Sequence, residues 1–415
     1  MSWTCTRDIH ILTNASRCTK RWSDGAGMAA ADSERDKLSV FVLGLRGFPD
    51  VPGGVETHAE HLYPLIVDDA IDVTCATRSP YHNQSQWRGV EFLRVWAPRS
   101  KYMEAIVHSL LAVVKAAFIR PDVVHVHAVG PSLVVPLARL LGLKVVVTHH
   151  GPDYDREKWN ALARWILRFG EWCGMKFANE RIVISPVIDE LVNERYGVRN
   201  TIIPNGVKLP VLDADSSFLK KYGLEAGRYV LMVSRFVPEK RHIDLIEAFE
   251  RAAVPGLKLA LVGDADHPDS YERTLKDRAA ANPDIILTGY LGGEELRALY
   301  QHASVFVLPS SHEGLPISLL EALSYGLPCI ASGIGANRAV GLDDDAYFDL
   351  GNVDQLAQKI VGVSSYEWGA AGREATRRWV SEKFDWNNIA LRTVAVYRLA
   401  IAGNLRASDR HNTSS

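Results

Sequence analysis

No run of this sequence is apolar for long enough to cross a bilayer, which takes about 20 consecutive residues. The first 37 residues are polar and mixed in charge, without the apolar core of an export signal. Cysteine is scarce: Cys5, Cys18, Cys75, Cys173 and Cys329 are five in number, scattered and without metal-ligand spacing. That usage argues against a disulfide framework and fits a reducing compartment. An excess of either charge is missing too. The net charge is −2, so no global field draws the chain to nucleic acid. These absences lead to the expectation of a cytoplasmic protein that binds no nucleic acid.

What is present is a globular composition, with 47% apolar and 23% charged residues over 415 positions. That length suggests more than one core. Apolar strand-like runs alternate with helical periodicity from residue 38 almost to the end. Leu38–Leu45, Val123–His127, Lys144–His149 and Arg181–Ile184 read as buried parallel strands, with helical patterns over Val55–Val67, Tyr102–Phe118, Pro131–Leu140 and Glu157–Asn179 between them. The rhythm breaks at Ile203-Pro204-Asn205-Gly206-Val207. It resumes with strands over Tyr229–Ser234, Leu257–Gly263, Ile285–Thr288, Val305–Leu308 and Cys329–Ala331. The helices expected there are Lys240–Ala253, Glu294–Tyr300, Ile317–Tyr325 and Val353–Val361.

The expected fold class is therefore α/β, with two Rossmann-like doubly wound domains facing a cleft. The domains are expected over 38–207 and 208–385. A helix over Trp386–Ala402, within 386–403, is expected to cross back to the first domain. Residues 1–37 and 404–415 are expected to be disordered, with Met28 a second candidate start.

Ligands of such sheets bind beyond the carboxyl ends of the strands. There the sequence places Ser310-Ser311-His312-Glu313-Gly314-Leu315-Pro316, a turn opening a helix that carries Glu321. The free N–H groups of a helix start form an anion site, and ionised carboxylates can hold sugar hydroxyls. An isolated turn of this kind reads more readily as a capping loop. Arg235 and Lys240 follow another strand and could neutralise a diphosphate. Gly53 and Gly54 open a helix after the first strand, with neither dinucleotide nor Walker spacing. His127 and His149 end strands. Lone histidines are usually structural, and His125-Val126-His127 could equally suggest a metal.

Taken together these segments resemble glycosyltransferase family 4. Glu313 and Glu321 match its E-x7-E signature, Arg235 and Lys240 its R-x4-K clamp, and Gly53-Gly54-Val55-Glu56 its GG-x-E loop. The resemblance implies the GT-B fold and retaining transfer of a hexose or deoxyhexose from a nucleotide-diphosphate sugar. Arg235, Lys240, Glu313 and His127 would serve the reacting centre. Gly53, Gly54, Gly263, Tyr290, Gly314, Leu315, Pro316 and Glu321 would line the donor site, and Glu56 and His149 the acceptor side. The family often has an acidic residue after its histidine, where Ala128 stands here.

No cofactor or metal is expected, and Asp264, Asp266 and Asp343–Asp345 read as polar loops. The longer G-x-R-G-x-P…GG-x-E-T form is similar to a subgroup associated with bacterial surface polysaccharides, including rhamnosyl transfer. An undecaprenyl-linked or other glycan acceptor is the implied partner. Trp159, Trp165 and Trp172, among Arg164, Arg168 and Lys176, suit either a membrane interface or a helix packed on a sheet. The rival readings are a GT-B sugar-nucleotide epimerase and a non-catalytic two-lobed binding protein.

Overall fold

Runs such as Val-Val-His-Val-His and Val-Val-Val-Thr-His carry β-branched residues at three and four of their five positions, as strands buried on both faces do. The computed structural model of the chain describes residues 37–51, 53–79, 81, 84–98, 103–155, 160–265, 270–364 and 368–403. The described residues from Leu38 onward belong to one compact unit. The expectations for residues 1–36, Met28 among them, and for 404–415 fall outside the described residues, as do Tyr102, Glu157, Trp159 and Asp266.

The first sheet contains β1 (Leu38–Leu43), β2 (Ile71–Arg78), β3 (Gln86–Trp87), β4 (Val90–Val95), β5 (Val123–His127), β6 (Val145–His149), β7 (Glu180–Val183) and β8 (Thr201–Ile202). Its helices are α1 (Gly54–Ile66), α2 (Glu104–Ile119), α3 (Val135–Leu140), α4 (Ala161–Phe177) and α5 (Pro186–Tyr196). The chain continues through α6 (Ser217–Lys221) into β9 (Tyr229–Val233), α7 (His242–Ala252), β10 (Lys258–Val262), α8 (Ser270–Ala280) and β11 (Ile285–Gly289). Then come α9 (Gly293–His302), β12 (Val305–Leu308), α10 (Ile317–Ser324), β13 (Cys329–Ser332), α11 (Gly335–Arg338) and β14 (Tyr347–Phe348). The last helices are α12 (Val353–Ser364), α13 (Ala370–Lys383) and α14 (Trp386–Ala402).

The first sheet runs β3-β4-β2-β1-β5-β6-β7-β8 and the second β11-β10-β9-β12-β13-β14. All pairings are parallel except β3 with β4. Strand order therefore reverses between β1 and β5, and again between β9 and β12. Such switch points leave a crevice at the carboxyl ends of the strands. Gly44 follows β1 at φ 103°, and a Cβ there would lie 2.3 Å from the His127 carbonyl oxygen. Only glycine lets the two strand ends approach so closely.

One face of the first sheet packs on α2, α3 and α4 through Ala112, Val113, Ala138 and Met175. The other face is covered by α1 and α14, through Leu62, Tyr63, Ile389 and Tyr397. The final helix occupies the expected range and returns to the first sheet. Its entry is tied down by the Val207 N–H donating to the Phe384 carbonyl at 2.8 Å, and by Asp385 capping the Asn388 N–H at 2.9 Å. Trp386 fills the hinge. Its ring stacks on His61 at 5.6 Å and lies so close to Gly206 that a Cβ there would come within 2.5 Å.

Several elements were not expected from periodicity. The strands β2 and β4 carry polar or charged residues among their apolar ones, and α8 and α13 expose most of their length, which blurs the apolar signal. The helix expected over Pro131–Leu140 is divided: a 3₁₀ turn covers Pro131–Val134 and α3 starts only at Val135, with Pro136 in its first turn. The side chain of Asn160 caps α4 by accepting from the Ala163 N–H, which sets its start four residues after the expected Glu157.

Removing the indole that fills the hinge leaves a cavity between α14 and α1. Trp386→Ala is expected to cost about 3–5 kcal/mol, measured by denaturant unfolding. A loss below about 1 kcal/mol would show that α14 is held elsewhere.

Candidate active site

The loops after β9 and β12 bring the main charged groups together. Lys240, at the end of a 3₁₀ turn after β9, donates from Nζ to Glu313 Oε1 at 2.5 Å, both side chains being mostly buried. The Ser311 N–H donates to the Glu239 carbonyl at 2.8 Å, which pins one loop to the other. Arg235 lies two residues beyond β9 and is half-buried. Pro316, three residues after Glu313 in the chain, precedes the first turn of α10, which leaves its first N–H groups free. Gly263 has a structural reason: at φ 142°, a Cβ would lie 1.8 Å from the Ser234 carbonyl oxygen. Tyr290, after β11, is 58% exposed. Its hydroxyl is pushed up by burial and then by Asp50, Glu60 and Glu321, so it feels carboxylates from both halves of the molecule.

Glu313 and Glu321 open into different cavities. Glu321 lines one of about 330 Å³ with Thr57 and His61 of α1, Gly206, Tyr300 and Trp386. It accepts from the Tyr300 hydroxyl at 3.0 Å. Burial nevertheless pushes its carboxyl up to about 7, against the lowering effect of that bond. Glu313 lines a smaller cavity of about 140 Å³ with Pro152, Ser185, His312 and Gly314.

The two halves touch at Gly314, where a Cβ would lie 2.0 Å from the His150 carbonyl oxygen. Asn205, in the hinge, bridges them with its side chain. Its Nδ2 donates to the buried Leu315 carbonyl at 3.0 Å, and its Oδ1 faces His58 Nδ1 at 2.9 Å. That donation fixes which end of the amide is oxygen, so His58 carries its proton on Nδ1.

Under this contact lies a group of imidazoles. His127 has no solvent exposure; its Nε2 meets the Tyr63 hydroxyl and its Nδ1 lies 2.8 Å from His150 Nε2. Burial, then neighbouring histidines, lowers both His127 and His150 well below the ordinary range, and burial lowers His58 to about 4. All three are neutral at pH 7. Ligand atoms of His58, His127 and His150 lie within 4.8 Å of one another, close enough to surround a metal ion.

Two sequence expectations change here. His127 lies beneath the cleft, not at its edge. His149 does not line an acceptor surface: it is fully buried, with Nδ1 accepting from the Gly151 N–H at 3.1 Å and Nε2 2.7 Å from Glu171. Burial pushes Glu171 up, but bonds from His149, Tyr196 and Tyr154 outweigh it and leave the carboxyl lowered. His149 therefore sets the turn that meets Gly314. Glu56 is also buried, accepting from the Arg46 N–H and Nε at 3.2 Å each and packing under Gly53. Gly54, by contrast, has open space where a Cβ would stand. His58, Tyr63, His150 and Asn205 were not singled out from the sequence. Their nearness to the GG-x-E loop and the Pro-Asn-Gly hinge was the available signal.

Two Rossmann-like domains, each built on a mainly parallel sheet with its own switch point, are the architecture of the GT-B fold. A Glycosyltransferase Family 4 model matches residues 52–210, and a Glycosyl transferases group 1 model matches 227–365. The chain thus carries the two domains of that class in order, and it is a transferase. It is 28% identical over 262 residues to an Escherichia coli UDP-Gal:α-D-GlcNAc-diphosphoundecaprenol α-1,3-galactosyltransferase, covering 59% of this chain and 66% of that one. It is 29% identical over 297 residues to the MMP α-(1→4)-mannosyltransferase of Mycolicibacterium hassiacum, covering 68% and 71%. The fold matches sucrose-phosphate synthase from Thermosynechococcus elongatus at TM-score 0.75 and 20% identity, over 88% of this chain and 100% of that one. It also matches Anabaena HepE in complex with UDP-glucose at TM-score 0.71 and 17% identity, over 89% and 99%.

The raised Glu321 carboxyl gives a pH test. Between its ordinary value of 4.5 and about 7, the folded chain holds a proton that the unfolded chain has lost, so ionising Glu321 costs stability as pH rises. Glu321→Gln should match the wild type in melting temperature at pH 4 and exceed it at pH 8. An equal gap at both values would mean that this carboxylate is well solvated.

Proposed function

We propose that the protein is a retaining transferase that moves a hexose or deoxyhexose from a nucleoside-diphosphate sugar to a glycan or undecaprenyl-linked acceptor. The setting is bacterial surface-polysaccharide synthesis at the inner face of the membrane. The Lys240–Glu313 pair beside the start of α10 carries this reading. The diphosphate is neutralised there by Lys240, Arg235, the N–H groups of Gly314 and Leu315 and the first free N–H groups of α10 after Pro316, with Gly53 and Gly54 approaching from the first domain. Glu321 holds the ribose from its cavity, and Gly263 and Tyr290 flank the base. Glu313 meets the transferred sugar, and His127 backs the first-domain wall from beneath through Tyr63 and His150. Glu56 holds the loop that faces the acceptor.

In the reaction the bond between the anomeric carbon and the diphosphate oxygen breaks. The acceptor oxygen bonds to the same face of that carbon, and its proton passes to the leaving phosphate. Charge stabilisation of that phosphate is the main catalytic contribution. Glu313 is occupied by Lys240 and is not a free nucleophile, which supports transfer without a covalent glycosyl-enzyme. Closure of the halves around Gly151 and Gly314 limits hydrolysis. The transferases named among the relatives, one acting on a diphosphoundecaprenol-linked sugar, support the acceptor class.

Lys240→Ala and Glu313→Gln should each lower transfer by about 100-fold or more while the chain stays folded, measured as nucleoside diphosphate released in the presence of acceptor. Near-full activity in both variants would overturn the reading. The proposed reaction uses no metal, so dialysis against EDTA should leave the rate unchanged. A loss restored by a divalent ion would instead give the three imidazoles a ligand.

A further inference from the structure

α2, α3 and α4 bury one side on the same face of the first sheet, and α3 with its preceding turn packs against both neighbours. Their outer sides are unusually apolar for a protein surface. On α2, Leu110, Leu111, Val114, Phe118 and Ile119 are exposed, Phe118 by 85%. Leu140, at the end of α3, is 84% exposed. On α4 the rings of Trp165, Phe169 and Trp172 stack one on the next at 5.6 and 5.5 Å, continuing to Phe177. A ladder of this kind along solvent, next to a second apolar helix, exceeds the scattered exposure that a monomer tolerates.

The exposed charges on these helices are of one sign. Lys115, Arg164, Arg168 and Lys176 are exposed. The three helices carry two carboxylates, and both are engaged. Glu104 binds Arg78 at 2.8 Å, and Glu171 is buried in its network with His149. Asp155, just before α4, lies 3.9 Å from Arg168. Apolar aromatic rows among cations, without free carboxylates, match the boundary between acyl chains and anionic headgroups. A second copy of the chain would bring these cations against their own kind. Among the described residues no helix is long and apolar enough to cross a membrane, so contact would be with its surface.

We propose that the outer faces of α2, α3 and α4 form a docking surface for a bilayer containing anionic phospholipid. It holds the first domain on the membrane while the donor domain stays free. The proposal rests on the lipid-linked acceptor only for its use in the cell; its physical basis is the surface itself.

The test is co-sedimentation of the intact protein with vesicles of phosphatidylcholine alone, and of phosphatidylcholine with phosphatidylglycerol. Binding should require phosphatidylglycerol and fall at high salt. The double variant Trp165→Ser/Phe169→Ser should weaken partition by about tenfold or more, with its melting temperature and its transfer to a lipid-free acceptor analogue unchanged. Phe118→Ser should weaken it independently. Binding to neither vesicle, equal binding to both, or a dimer that buries the ladder would each overturn the proposal. If the protein binds anionic vesicles but transfers to no lipid-linked acceptor, the docking surface stands and the acceptor reading falls.

Discussion

The carboxamide of Asn205 joins the two halves of this transferase at the point where the hinge, the first helix and the donor-side turn meet. An amide can donate from one end and accept at the other, and here both ends are engaged: Nδ2 on the Leu315 carbonyl, Oδ1 on His58. A buried polar group left without a partner costs about 1–3 kcal/mol, so neither half can drift without exposing a penalty. The same bonds set the proton on His58 and the level at which Gly314 meets the His150 carbonyl. Neither a side chain at position 314 nor a displaced hinge is compatible with that approach.

From this joint the site divides by charge. The second domain supplies the formal charges, Lys240, Arg235, Glu313 and Glu321, at the ends of β9 and β12 and along α10. Facing them, the first domain supplies imidazoles that burial keeps neutral. With neutral imidazoles on the first domain, the cations that can meet an anion in this site, Arg235 and Lys240, come from the second. The most deeply buried carboxylate of the first domain, Glu171, is surrounded by His149, Tyr154, Tyr196 and Arg195. Its role is to hold a turn, well below the chemistry.

Much of this was legible in the residues. β5 and β12 have the bounds that their apolar runs indicate, and α14 runs over the residues that its pattern marks, because a two-residue or 3.6-residue period is a local property of the chain. The glycines were legible as necessary, and the structure adds a steric reason for them. Gly263 stands where it does because the Ser234 carbonyl occupies the space of a side chain. Elements that expose most of their surface, such as α8 and α13, were hidden because their apolar signal is thin.

The order of strands and helices, the two-domain class and the E-x7-E and R-x4-K spacings were determined by the sequence itself, since steric preference, periodicity and motif distance all act within a few turns of chain. Tertiary structure alone decided which neighbour each polar atom meets. It placed His149 in a buried ion network and its neighbour His150 against His127. It paired Lys240 with Glu313 across 73 residues, and it set Glu313 and Glu321 in separate cavities. It also left the outer sides of α2, α3 and α4 uncovered. Burial and pairing depend on surfaces brought together from distant parts of the chain, and no local pattern encodes which surfaces those are.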